Sequence, residues 1–204
     1  MIARSPFIEP CRPTKVAVPP SGKLWVHEIK HDGYRLMVRR DDGRVHCFTR
    51  NGHDWADRFP AIVDAALAIK AHSFVIDGEV VVPRQDGTSD FPALRSKNRG
   101  AEAIYAFDLI ELYDNDLREE LLIERKRRLA KLIGKGKRYA IQYNGHLSED
   151  GITVFAHACR MGLEGIVSKR IDSRYTSGPS KAWLKSKNPT SDAVRREREE
   201  DWNK

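Results

Sequence analysis

Glu28-Ile29-Lys30-His31-Asp32-Gly33-Tyr34-Arg35 sets a lysine between two carboxylates, each two residues away, and follows it with a glycine and an arginine. The pattern around it is two-fold from Leu24 onward. Leu24, Val26, Glu28, Lys30 and Asp32 point to one face of a strand, and Trp25, His27 and Ile29 to the other. A lysine on a strand's inward face is uncommon, because burying an ammonium is costly. Its amine becomes a nucleophile only when neutral, and nearby cations or a metal ion can lower its pKa enough. The octapeptide alone leaves two readings open: a nucleophilic lysine, or a salt-bridged lysine at the end of a surface strand.

Outward from this stretch the strands come as hairpins. Residues 35–40 and 44–49 flank Asp41-Asp42-Gly43, a good turn sequence. Further strands are expected at 74–82, 104–112, 139–143, 164–169 and 182–187. Pro60 suits the first turn of a helix reaching about Lys70. Residues 119–133 read as an amphipathic helix with acids first and cations later, closed by Gly134 and Gly136. Its cationic side reads as a solvated face. Another helix is expected at 151–160, and the polar loop 84–100 holds a short one near Phe91. Strands outnumber helices, so the class is α+β with antiparallel sheets and not a doubly wound βαβ fold. A Pro-rich strap (1–22) precedes the domain (23–190), and a charged tail (191–204) follows as a frayed helix or disorder.

Composition narrows the function. The 204 residues suit one domain, and 36 Lys and Arg against 29 Asp and Glu give net +7, which favours a polyanionic partner, nucleic acid first. No apolar run can span a bilayer, and residues 1–20 lack the apolar core of a signal peptide. Cys11, Cys47 and Cys159 are odd in number and far apart, which excludes a disulfide framework and a zinc knuckle and fits a reduced cytosol. They read as buried or inert. His27 and His31 lie four residues apart, but on a strand and turn, not on a helix, so they are no metal pair.

The octapeptide resembles the KxDGxR signature shared by ATP-dependent DNA ligases, RNA ligases and mRNA capping enzymes. Thr49-Arg50-Asn51-Gly52-His53-Asp54, Ile76-Asp77-Gly78-Glu79-Val80 and Tyr105-Ala106-Phe107-Asp108-Leu109 resemble that family's following motifs. Leu163-Glu164-Gly165-Ile166-Val167-Ser168-Lys169 and Trp183-Leu184-Lys185-Ser186-Lys187 resemble its last two. Asp90-Phe91-Pro92-Ala93-Leu94 is similar to a loop of bacterial end-joining ligases. The resemblance runs in family order over roughly residues 24–188. It implies two antiparallel β-sheets flanked by helices. It also implies roles. Lys30 attacks the α-phosphorus of ATP and forms a lysyl-AMP; Lys185 and Lys187 face the α-phosphate, offset the transition-state charge and help depress the pKa of Lys30. Glu28 helps hold the adenosine. Phe107 and Val167 close on the two adenine faces. Glu79 takes the ribose hydroxyls or a metal, and Glu164 binds Mg²⁺ or Mn²⁺. Arg35 contacts the ribose and then the nick phosphate, and Arg50 serves the ribose or the DNA end.

The implied function is adenylyl transfer to a DNA 5′-phosphate in nick sealing and strand-break repair. The implied setting is a monomer in a bacterial cytoplasm, associated with the nucleoid and with nicked or broken duplex DNA. A full ligase of this type follows its last motif with an OB-fold domain. Residues 188–204 are too few for that barrel, so the resemblance implies an OB-fold or end-binding partner. A non-sealing module that binds ATP and DNA ends, or an RNA ligase-like enzyme, is the alternative.

Overall fold

In the computed structural model, which describes residues 7–96, 101–134 and 140–202, the period-two stretches form strands and the longer periodic ones helices. The chain runs β1 (Cys11–Lys15), β2 (Trp25–Ile29), β3 (Tyr34–Asp41), β4 (Arg44–Thr49), α1 (Pro60–Leu67), β5 (Ser73–Val81), α2 (Phe91–Arg95) and β6 (Ala103–Leu112). It continues with β7 (Asn115–Asp116), α3 (Leu122–Ile133), β8 (Ile141–Tyr143), α4 (Gly151–Arg160), β9 (Gly165–Arg170), β10 (Gly178–Lys187) and α5 (Asp192–Trp202).

Two sheets result. One has the order β1-β10-β9-β2. The other runs β4-β3-β5-β6-β7, with β8 on β6. The octapeptide is the crossing between them. Its lysine follows the last residue of β2, and its tyrosine opens β3 in the other sheet. Period-two alternation then sorts side chains by face. Leu36, Val38 and Ile76 pack outward with Phe59, Ile62 and Leu129, while Met37 and Val75 turn inward to Val26, Phe107 and Trp183. On the far side of the smaller sheet, Val154 and Ala158 of α4 cover Ile166. The Asp150 carboxylate caps α4 by accepting from the amides of Ile152 and Thr153. Among the described residues no helix is long and apolar enough to cross a membrane.

Two expectations change. Each sheet carries one parallel pairing, β1 with β10 and β6 with β8, beside its antiparallel ones. The 1–22 segment is more than a strap, since β1 is an edge strand whose Cys11 is buried. Proline is tolerated at a sheet edge, and the register shifts between Pro13 and Thr14. Of the two readings of the tail, frayed helix or disorder, the helix is the one present, as α5 over Asp192–Trp202. Tyr139 and Gly136 lie outside the described residues.

Gly165 opens β9 at φ 145, and a Cβ there would sit 2.1 Å from the Ser186 carbonyl oxygen of β10. Both backbone conformation and space exclude a side chain. Gly165→Ala is therefore expected to cost ~3 kcal/mol or more, lowering the melting midpoint by roughly 10 °C. A midpoint within about 2 °C of the parent would show that the sheet adapts.

Candidate active site

Strand pairing brings the sequence's candidates onto one surface. Across the smaller sheet, Glu28 pairs with Val167 and Val167 with Lys185. One step along, Lys187 pairs with Gly165, whose carbonyl accepts from the Lys30 amide at 3.0 Å. Directly opposed residues share a face, so Glu28, Lys30, Val167, Lys185 and Lys187 all look toward the larger sheet. That sheet answers with Arg35 and Glu79, paired across β3 and β5, and with Phe107 of β6. Glu28, Lys30, Arg35, Glu79, Phe107 and Val167 line one cleft with Lys169 and Trp183. Lys30 and Glu79 also line an adjoining hollow with Glu164 and Lys187.

The Lys30 ammonium donates to Glu164 Oε2 at 2.7 Å, and Lys187 Nζ lies 3.5 Å from the other oxygen, Oε1. One buried carboxylate is thus shared by two lysines. Burial alone would push the Lys30 pKa down, but the carboxylates of Glu164, Glu79 and Asp32 outweigh it and hold it above its ordinary value. This corrects the expectation of a depressed lysine: in the free protein three carboxylates around the amine count for more than Lys185 and Lys187. Burial pushes the Glu79 carboxyl up to about 7, with Lys30 and Arg35 opposing and Glu164 and Asp77 adding. Lys185 is lowered by burial and then by the charges of Lys187 and Lys30, with a smaller contribution from Arg50. Arg50 stands on the exposed turn after β4.

Arg35 is held more firmly than its assigned role suggests. Its Nε and Nη2 grip the buried Asp77 carboxylate at 2.6 and 2.7 Å, and Nη2 also donates to the Cys11 carbonyl. The Tyr175 hydroxyl donates to the same carboxylate and accepts from the Cys11 amide. The guanidinium lies 4.6 Å from the Phe107 ring centre. The histidines part company: His27 contacts Ser168, while His31 stacks on Tyr105. Burial pushes the Cys11 and Cys47 thiols up to about 11 and 12, which leaves them inert.

Two lysines were missed. Lys126 of α3 donates to Glu28 Oε1 at 2.6 Å, and Lys169 of β9 lies 2.7 Å from Oε2, all three side chains being buried. Burial would raise the Glu28 pKa, but the two ammoniums outweigh it and hold it low. Burial pushes Lys169 down to about 8 against the pull of Glu28. The expected solvated face of 119–133 is corrected here, because Arg125 and Lys126 are both fully buried. The signal was available: Leu122, Arg125, Lys126, Leu129 and Ile133 follow the spacing of a helix's buried stripe.

The tail also reaches the site. Arg196 of α5 pairs with Asp32 and covers the Phe91 ring at 4.5 Å, while Glu197 Oε2 accepts from Lys187 Nζ at 2.6 Å. This charged segment docks here through these ion pairs together with the buried Val194.

Among the described residues no three His, Cys, Asp or Glu side chains converge as a ready metal cage. Glu164 and Glu79 are hard oxygen donors beside Lys30. Mg²⁺ commonly takes one or two carboxylates and completes its shell with phosphate oxygens and water, so the donor chemistry fits a cation that arrives with a nucleotide.

Residues 8–187 match the ATP dependent DNA ligase domain, and the chain belongs to that family. It is 40% identical over 185 residues to the multifunctional non-homologous end joining protein LigD of Pseudomonas aeruginosa, a match covering 89% of this chain and 22% of that one. The chain thus spans about a fifth of that relative's length. Two solved structures are similar: a mycobacterial DNA ligase D complexed with ATP and MES, and the ligase domain of M. tuberculosis LigD. Each has a TM-score of 0.75 at 30% identity, covering 87% of this chain and 59% and 60% of those chains.

Proposed function

We propose that this chain is an ATP-dependent nucleotidyltransferase in which Lys30 takes up AMP and passes it to a 5′-phosphate of nicked or broken duplex DNA. The observation that carries the reading is the Glu164 carboxylate, shared between Lys30 and Lys187 where the two sheets meet. Lys30 releases a proton to solvent, and its amine forms a bond to the α-phosphorus as the bond to pyrophosphate breaks. Lys185 and Lys187 offset the charge that develops on the phosphoryl oxygens. In the second step a DNA 5′-phosphate oxygen attacks the same phosphorus, and the Lys30 amine leaves and regains a proton. A 3′-hydroxyl then displaces AMP and seals the strand.

Glu28 holds the adenosine, and Phe107 and Val167 flank the base. Glu164 and Glu79 are the residues that would hold Mg²⁺ or Mn²⁺, whose charge stabilises phosphate oxygens when bound. Arg35 and Arg50 serve the ribose and the DNA end. We assign the work to a monomer at the bacterial nucleoid, in the cytoplasm, with an OB-fold or end-binding protein as partner. The net positive charge and the end-joining relatives support this reading.

The test is incubation with ATP, Mg²⁺ and a 5′-labelled nicked duplex, read on a denaturing gel. Adenylylated and sealed strands are expected. A chain that labels itself but transfers nothing to DNA would overturn DNA as the acceptor.

Glu197 occupies one of the lysines that a phosphate needs. Glu197→Gln is expected to lower the half-saturating ATP concentration for self-labelling by about two- to fivefold, the worth of a partly exposed ion pair. A higher value would show instead that α5 helps hold the nucleotide.

A further inference from the structure

Lys15 stands outside every motif that carries the family resemblance, yet it continues the cleft's row of side chains. The cleft face of the smaller sheet reads Glu28 on β2, Val167 on β9, Lys185 on β10 and Lys15 on β1, each directly opposite the next. Alternation along β1 agrees, because Pro13, two residues earlier, lines the cleft. Neighbouring strands lie about 4.8 Å apart, which puts the Lys15 backbone roughly 14 Å from the β2 edge. Lys15 is exposed there, at the mouth of the cleft and not on its floor.

Two observations mark this mouth as a place for an anion. The first is that the chain already puts one there: Glu197 of α5 accepts from Lys187 Nζ at 2.6 Å. That hydrogen bond holds the Glu197 carboxyl below its ordinary value, and the charges of Lys187, Lys15 and Lys185 add to it against burial. The second is that the charge of Arg50, on the turn after β4 in the other sheet, also reaches Lys185. Cations thus converge on the mouth from both sheets. A lysine on an edge strand also deters pairing with another sheet, but that role does not require it to stand in register with Lys185.

We propose that Lys15 is a DNA-binding residue: with Lys185 it takes a backbone phosphate of the duplex, one that flanks the reacting 5′-phosphate, at the place where Glu197 sits. The inference rests on the nucleotidyl-transfer reading above and deepens it by extending the DNA track to the edge strand β1. A nucleotide held at Lys30 is a small ligand on the β2 side of the sheet. Duplex DNA carries a charge roughly every 1.7 Å of its axis, so it goes on presenting phosphates past the reacting end, where a cation at the opposite edge meets them. Such a contact fixes the position of the duplex and reads no base.

The experiment measures equilibrium binding of the 204-residue chain to a nicked duplex between about 50 and 200 mM salt. The parent is compared with Lys15→Gln, Lys15→Arg and Lys131→Gln. Lys131 is an exposed lysine of α3 that lines a separate hollow beside Tyr113, so its loss removes the same charge elsewhere. Each phosphate contact adds about 0.9 to the slope of log affinity against log salt. Lys15→Gln is expected to lower the slope by about that amount and to weaken binding roughly three- to tenfold at about 100 mM salt. Lys15→Arg and Lys131→Gln should each stay within about 0.3 of the parent slope. Duplexes with one neutral methylphosphonate near the nick then locate the contact: at one position the change should weaken the parent and leave Lys15→Gln as it was. An unchanged slope in Lys15→Gln, equal losses in Lys15→Gln and Lys131→Gln, or no such methylphosphonate position overturns the inference. A rise in the half-saturating ATP concentration for self-labelling with no loss of DNA affinity overturns it too, and assigns the lysine to the nucleotide. A parent whose binding to the duplex does not vary with salt takes down the DNA reading itself.

Discussion

Lys30→Arg is expected to retain no covalent AMP above background, a loss of ~10⁴-fold or more, while melting close to the parent. A guanidinium stays protonated in proteins and has no lone pair to offer phosphorus. It does keep the positive charge that Glu164 binds at 2.7 Å, so the local ion pair survives and only the nucleophile is lost. The parent side chain starts protonated, because the carboxylates of Glu164, Glu79 and Asp32 together outweigh burial. Neutralising Glu164 removes the largest of the carboxylate effects that hold the Lys30 pKa up. Labelled α-phosphate retained on the denatured chain reads the result, with a melting curve as control. A Lys30→Arg variant that still captures AMP would move the nucleophile elsewhere, with Lys185 and Lys187 the next cations on the same face.

Arg125→Met is expected to destabilise the chain by ~3–5 kcal/mol, because it leaves the Asp108 carboxylate charged and unpaired in the core. Arg125 and Asp108 are both 0% exposed and pair twice, Nε to Oδ1 at 2.8 Å and Nη2 to Oδ2 at 2.9 Å. The remaining nitrogen donates to the carbonyls of Glu120 and Ser173. This one side chain ties α3 to β6 and to the turn before β10, and α3 also delivers Lys126 to Glu28. A midpoint drop of roughly 10 °C corresponds to that cost in a chain of this size. The double change with Asp108→Leu should recover part of it, since removing both charges spares the lone one. A single variant that melts within about 2 °C of the parent would deny the clamp.

The part of the site that was legible in the sequence is the part written in strands. Alternation put Glu28 with Lys30 and Lys185 with Lys187 on shared faces, and strand pairing then set them side by side with Val167 between. What the sequence hid depends on contacts between distant positions. Lys30 and Glu164 are separated by 134 positions, and Arg196 meets Asp32 across 164. No local period encodes such pairs. Lys126 was hidden by composition: a helix rich in Lys and Arg reads as solvated, although the spacing of its apolar residues runs through positions 125 and 126. The cleft's charge balance was misjudged for a similar reason. The lysines are adjacent in sequence pattern and easily counted, whereas Glu164 and Glu79 act on Lys30 only once distant strands are brought together. Beyond the site, β1 was masked by Pro13 within it and the prolines around it, and an edge strand tolerates such a residue.

The central claim is that Lys30 itself carries AMP. The direct measurement is peptide mapping of the parent chain after incubation with ATP and Mg²⁺. An AMP adduct is expected on the peptide containing Lys30, acid-labile as a phosphoramide is, and removed when pyrophosphate is added back. An adduct on any other residue, or none under conditions in which the chain binds ATP, would contradict it.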